Sequence, residues 1–175
     1  MEELVSKAKC GDKEAFTKLI VSIQHDLYKI AKMRLTNEAD IDDAIQETMI
    51  ETFRFIKKLK DESAFKPWVT KILINKCNKI YKKKRYNEIS FEDEIENYLV
   101  QESTHLTESD TDFYLLVKDL NYEDRMILTL YYLERYTFNE IGKILNINEN
   151  TVKTRLYRTK NKIKNKLEEG IKWVN

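Results

Sequence analysis

The side chains with the clearest chemical meaning are the cations near the C-terminus. Between residues 149 and 166 one acid, Glu149, accompanies seven Lys and Arg side chains. Val152 and Leu156 recur among them at the spacing of one helical face, which predicts an amphipathic helix with a strongly basic outer side. Such a helix fits the major groove of DNA. The same pattern is also typical of a solvated face, or of a surface for a membrane or an acidic protein.

A short capped helix precedes this basic segment. Thr137 and Glu140 have the spacing of a capping box, and Ile141 and Ile144 place apolar groups on one side of the helix that follows. The turn at 146–148 contains two Asn residues, which tolerate left-handed backbone geometry and cap helices. The sequence therefore predicts a helix-turn-helix, and this arrangement favours DNA over the other anionic partners.

A second basic segment covers residues 65–87, which hold eight Lys and Arg and no acid. Pro67 suits the first turn of a helix there, because its missing amide would have no partner in that position. Asn75 and Lys79 are four residues apart and so share one side of the helix. Cations interleaved with Asn and with aromatic residues suit single-stranded or melted DNA. Trp68 is favoured as a core residue.

An acidic segment lies between residues 37 and 59, where Asn37 or Asp40 starts a predicted helix. Asp43, Gln46 and Glu47 share its exposed side. Catalysis by these carboxylates is not supported, because nothing in the pattern indicates a cleft or a perturbed pKa. A protein-contact face and a merely solvated face both remain open.

The charge pattern divides the chain into three parts. Residues 1–87 carry +6, residues 88–124 carry −11 and residues 125–175 carry +6, which together give the net charge of +1. Three Gly and one Pro leave little turn chemistry for a strand-rich fold. We therefore expect an all-α protein with two small helical domains, at 1–87 and 113–175, joined by an acidic flexible linker at 88–112.

Other classes of protein are disfavoured by what the sequence contains. Only two His are present, Cys10 and Cys77 are isolated, and no phosphate-binding loop or metal-ligand spacing occurs. We expect no enzyme activity, no cofactor and no metal. The sequence shows no run of 18 apolar residues and no signal-peptide pattern, so a cytoplasmic location without membrane insertion is expected.

Four motifs in order resemble the extracytoplasmic-function (ECF) sigma factors of the sigma-70 family. The stretch 43–47 matches the family's D-x-x-Q-E motif, and 63–75 is similar to its S-x-F-x-x-W-L-x-R-I-x-x-N stretch. The stretches 140–142 and 151–158 resemble the second domain of the family. The resemblance covers almost the whole chain and implies a subunit that binds bacterial core RNA polymerase and recognises promoter DNA.

The resemblance also implies roles for individual residues. Core polymerase contacts are expected at Asp43, Gln46, Glu47, Met49, Phe53 and Ile56. Contacts to the melted −10 element are expected at Phe65, Lys71, Asn75, Lys79, Lys82 and Lys83. Contacts to the −35 element are expected at Thr151, Lys153, Thr154, Arg155, Tyr157, Arg158 and Lys160.

Two further expectations concern partners and alternatives. Members of this family are usually held inactive by an anti-sigma factor, often membrane-anchored, so such a partner is implied. The main alternative is a free-standing regulator that uses the same helix-turn-helix to bind a two-fold symmetric operator. Its weakness is the N-terminal domain, because the D-x-x-Q-E helix and the basic helix have no role in a simple repressor.

Overall fold

The computed structural model describes residues 1–87 and 107–172, and all regular structure in these ranges is helical. The chain divides into two compact units between Thr107 and Glu108. Unit 1 contains α1 (Glu2–Lys9), α2 (Lys13–Lys32), α3 (Glu38–Phe55), 3-10 turns at Ile56–Lys58 and Glu62–Ala64, and α4 (Phe65–Asn87). Unit 2 contains α5 (Glu108–Val117), α6 (Tyr122–Leu128), a π-helical turn at Thr129–Leu133, α7 (Phe138–Leu145) and α8 (Glu149–Lys172). The all-α prediction is confirmed.

The helix starts of unit 1 follow from local side chains. The carboxylate of Asp12 accepts a hydrogen bond from the amide of Ala15 at 2.9 Å, and Asn37 caps α3 through the amide of Asp40 at 3.3 Å. Gly11 separates α1 from α2 with a φ of +98°, a conformation that an L side chain rarely adopts. These caps fix where α2 and α3 begin.

The core of unit 1 lies where α2, α3 and α4 pack together. Leu27, Ile41 and Leu73 are almost completely buried there, one from each helix. Cys77 is also buried, and this burial raises the pKa of its thiol to about 12. The packing fixes α3 and α4 side by side, with one face of each turned outward.

The helix-turn-helix of unit 2 forms as its sequence predicts. Thr137 and Glu140 make both bonds of the capping box, and Asn146 ends α7 in the left-handed conformation with a φ of 57°. The amide of Ile147 then donates to the carbonyl of Gly142 at 3.0 Å, closing the turn. Val152, which is fully buried, anchors α8 in the core of the unit.

Two expectations from the sequence need correction. Helix α5 begins at Glu108, so residues 108–112 are helical rather than part of a linker, and acids in a first helical turn are favoured by the helix dipole. The rest of the predicted linker, 88–106, lies outside the described residues. Trp68 was expected in the core but is only partly buried, with its ring centroid 6.4 Å from that of Phe65.

Candidate nucleic-acid interface

The outer side of α8 carries the cations that the sequence predicted to contact DNA. Among the residues expected there, six are exposed: Thr151, Lys153, Thr154, Tyr157, Arg158 and Lys160. The opposite side of α8 is fixed in the core by Val152, Leu156 and Thr159. The structure therefore brings these six side chains onto one continuous basic surface.

A pocket of about 570 Å³ lies along one edge of this surface, within unit 2. It is lined by Asp124, Asn150, Thr151, Thr154, Arg155, Arg158, Thr159 and Lys162. Arg158 and Lys162 are exposed, and neither has a hydrogen-bond or ion-pair partner in the part of the chain that the structure describes. Free cations next to hydroxyl groups are suited to an anionic ligand such as DNA phosphate.

Lys153 is oriented by two neighbours. Its ammonium group lies 2.7 Å from Glu149, one turn earlier, and 5.6 Å from the centre of the Phe138 ring. The hydrogen bond from Lys153 lowers the pKa of the Glu149 carboxyl. Lys153 therefore projects from α8 in a defined direction, although its charge is balanced locally by Glu149.

Arg155 differs from the expectation. The sequence predicted it to contact the −35 element, but its side chain is only 27% exposed and is paired with Glu123 and Asp124 of α6. The Nε–Oδ1 distance to Asp124 is 2.7 Å. Arg155 is thus held inside unit 2 by two carboxylates, whereas Arg158 is exposed and has no partner among the described residues.

In unit 1 a second basic surface follows one side of α4. Lys71, Asn75, Lys79, Lys82 and Lys83 are all exposed, and Lys82 and Lys83 lie three and four residues after Lys79. Phe65, which was expected to contact the same DNA strand, is fully buried at the start of the helix. That expectation is corrected: Phe65 anchors α4 in the core, and the polar residues alone form the stripe.

The loop before α4 has internal support. Oδ1 of Asp61 accepts hydrogen bonds from the amide of Ser63 at 3.0 Å and from its hydroxyl at 2.6 Å. Glu62 pairs with Lys9 of α1. A side chain that bonds two residues onward fixes a tight turn, so the loop reaches α4 in an ordered conformation.

The predicted polymerase-contact face lies on α3. Asp43 and Gln46 are exposed, Phe53 is 54% exposed and packs edge-on against Phe16, and Met49 is partly buried. Ile56, also expected to contact the polymerase, is only 2% exposed. That expectation is corrected, since Ile56 follows the end of α3 and fills the core.

Glu47 has a partner that the sequence did not reveal. Lys76 of α4 lies 3.3 Å from Glu47 and 2.6 Å from Glu51, and the hydrogen bond that Lys76 donates to Glu51 is the main cause that raises the pKa of Lys76. Lys76 therefore bridges α3 and α4. Its sequence position among eight similar cations gave no signal of this role.

Other kinds of site are not found in the described ranges. No group of three His, Cys, Asp or Glu side chains could hold a metal ion there. Within the same residues, no helix combines the length and the apolar character that crossing a membrane needs.

Comparisons with known proteins cover both units of the chain. The family model "Sigma-70 region 2" matches residues 19–86, which contain α3 and nearly all of α4, and "Sigma-70, region 4" matches residues 111–163, which contain α7 and the first part of α8. The ECF RNA polymerase sigma-E factor of Haemophilus influenzae is 28% identical, with 95% of each chain covered. That of Escherichia coli K12 is 29% identical over 97% of this chain and 95% of the relative.

Two solved structures share the fold. CnrH in complex with the cytosolic domain of CnrY aligns with a TM-score of 0.69 at 19% identity, covering 96% of this chain and 97% of the other. The sigma factor RpoE in complex with the anti-sigma factor NepR from Bartonella quintana aligns with a TM-score of 0.67 at 17% identity, covering 87% and 96%. The chain belongs to the ECF group of the sigma-70 family and is an RNA polymerase sigma factor, a specificity subunit that acts with core polymerase on promoter DNA.

Proposed function

We propose that this sigma factor recognises its promoter through two surfaces, the α4 stripe in unit 1 and the outer side of α8 in unit 2. The supporting observation is that each unit matching a sigma-70 region presents one helix with a buried inner side and an exposed basic outer side. Cationic surfaces supply affinity for the phosphate backbone, and the polar groups among them supply sequence preference.

The α4 stripe fits the melted strand of the −10 element. The amide of Asn75 offers both a donor and an acceptor, so it can read a base edge, while Lys79 supplies charge to the backbone. Lys71, Lys82 and Lys83 continue the stripe. The loop 59–65, with its Asp61–Ser63 turn, is the proposed site of one flipped base, since Lys60, Asp61 and Ser63 are exposed just before α4.

The outer side of α8 fits the duplex −35 element. Arg158 is exposed and has no partner among the described residues, so its guanidinium is free to bond a guanine edge. Lys153 and Tyr157 lie on the neighbouring side, and Tyr157 is 68% exposed. Thr151, Thr154 and Lys160 complete the proposed contact surface, where hydroxyl and ammonium groups suit phosphate oxygens.

The exposed face of α3 is the proposed contact with core polymerase. Asp43 has no partner among the described residues, and Phe53, almost three turns further along α3, leaves its ring 54% exposed. Glu47 shares Lys76 with Glu51, but its side chain is 53% exposed and its second carboxylate oxygen can accept from a cation of the polymerase. A buried aromatic anchor with surrounding charges is a common interface pattern.

We further propose an anti-sigma factor as a regulatory partner, a cytoplasmic location and the absence of any catalytic centre. The first rests on the two structural neighbours, of which one is bound to a named anti-sigma factor. The cytoplasmic location and the absence of a catalytic centre rest on the family, because its members act together with RNA polymerase, which carries the catalytic site.

Run-off transcription tests the proposal. Core polymerase with this protein should produce a promoter-dependent transcript, and core polymerase alone should not. A free-standing operator-binding regulator predicts the opposite pattern: specific duplex binding without polymerase, and no transcript when core enzyme is added. That result would reverse the assignment.

A further inference from the structure

Arg155 differs from the other cations of α8 because its whole guanidinium group is held within unit 2. Nε donates to Oδ1 of Asp124 at 2.7 Å, Nη1 donates to Glu123, and Nη2 donates to Oδ1 of Asn121 at 3.4 Å. All three nitrogens therefore have partners at the start of α6. Arg158, almost one turn further along α8, has none in the described ranges.

The Asn121–Asp124 cap of α6, with which Arg155 bonds, is itself held by hydrogen bonds. Oδ1 of Asn121 accepts from the amide of Asp124 at 3.0 Å, and its Nδ2 donates to the other oxygen of Asp124 at 2.7 Å. The side chain of Asp124 is only 14% exposed. Arg125 restrains the same turn by donating to the carbonyl of Leu120 at 3.2 Å. Both carboxylate oxygens of Asp124 are thus engaged, one by the α6 cap and one by α8.

This arrangement does not suit base reading. A bidentate contact to guanine needs two adjacent N–H groups of the guanidinium in one plane with the base edge, and three of the five N–H groups of Arg155 already donate to Asn121, Glu123 and Asp124 and fix that plane towards α6. Glu123 and Asp124 also neutralise the charge of Arg155 locally, so this guanidinium adds little attraction for DNA phosphate. What the contacts do achieve is to tie the second turn of α8 to the first turn of α6.

We infer that Arg155 is a positioning residue, which fixes the rotation of α8 so that Lys153 and Arg158 project towards DNA. This inference rests on the proposed role of α8 at the −35 element. The apolar contacts of Val152 and Leu156 hold α8 against the core, but such contacts are non-directional. Charge-assisted hydrogen bonds at one edge of the helix add the missing direction.

A charge exchange between Arg155 and Asp124 tests the inference in the assembled holoenzyme. The variants are Arg155→Glu, Asp124→Arg and the double variant, and the measurement is affinity for duplexes carrying each base at each −35 position. Each single substitution should weaken binding to all sequences by about tenfold, as expected for losing charged hydrogen bonds. The double variant should recover most of this loss, with the same base preference as the wild type.

Two results would overturn the inference. One is a flattened preference at a single −35 position in Arg155→Glu that the double variant does not restore, since an acid at position 155 cannot replace a base-reading guanidinium. The other is simple additivity of the two single substitutions, which would mean that the residues do not interact. If the single variants fold poorly, Arg155→Lys, which keeps the charge with fewer donors, should give a smaller, sequence-independent loss.

Controls separate this inference from the proposed function. Asp119→Asn removes a different acid of unit 2, which lies 3.3 Å from Lys166. This variant should keep both the base preference and the DNA affinity of the wild type. Arg158→Ala should flatten the preference at one position. If Arg158→Ala keeps the wild-type preference, the proposed role of α8 at the −35 element is wrong. The coupling of Asp124 and Arg155 is then measured by hydrogen exchange in α6 and α8 of the charge-exchange variants.

Discussion

Gly142 allows a sharp test of how the helix-turn-helix is built. A Cβ added at this position would lie 2.8 Å from the carbonyl oxygen of Ile147, with the amide nitrogen of Glu149 at 3.6 Å behind it. The sequence alone predicts that Gly142→Ala stabilises the protein, because Ala is favoured over Gly inside a helix by about 1 kcal/mol. The structure predicts the opposite sign.

The magnitude follows from two opposing effects. Overpacking costs about 1–3 kcal/mol, and the upper part of that range applies here because the obstructing atom belongs to the backbone of the turn. After the gain in helix propensity, Gly142→Ala should destabilise unit 2 by about 1–2 kcal/mol. Local opening of α7 and α8 should then increase by about 5–30-fold.

Hydrogen exchange measured on peptides from each unit reports this change. Protection should fall in α7 and α8, while the buried thiol of Cys77 in unit 1 stays unreactive towards a thiol reagent. Gly11→Ala is the matched control, because its added Cβ meets nothing within 4 Å and its φ of +98° places any strain in unit 1. Unchanged or increased protection in α7 of Gly142→Ala would refute the reasoning.

Three other predictions concern unit 1. Asn75→Ala should change the preference at one −10 position in transcription from duplex promoters, and an identical base profile would remove Asn75 from the reading site. Asp43→Lys should weaken binding to core polymerase while helicity is retained. The loss should be larger than for Glu47→Lys, because Glu47 is already paired with Lys76. Unchanged affinity in both variants would contradict the assignment of α3 as the polymerase contact. Burial raises the pKa of the Cys77 thiol from 9.0 to about 12, so the folded state favours the neutral thiol. Between pH 9 and 12 the unfolded chain loses this proton more readily, and the free energy of unfolding should therefore fall in this range. The fall should be smaller in Cys77→Ala. Parallel pH profiles of urea unfolding for the two proteins would refute this.

The sequence by itself was sufficient for the elements whose cause is local. The Thr137–Glu140 capping box and the caps at Asp12, Asn37 and Asn121 join residues three positions apart, so their spacing is visible in the sequence. Helical periodicity likewise placed the exposed stripes of α4 and α8, because side chains three or four residues apart share a face in any helix. The family motifs added the identity of the protein.

Only the tertiary structure decided which of several chemically similar side chains are exposed and which are paired or buried. Arg155 and Arg158 look alike in the sequence, yet the partners of Arg155 are 31, 32 and 34 residues away, and no local pattern links them. The same holds for Lys76, whose partners lie on another helix. Phe65 and Ile56 are buried by neighbours that the chain supplies only after folding. Spacing along one helix specifies which side chains share a face, but the contacts across helices determine whether that face is free.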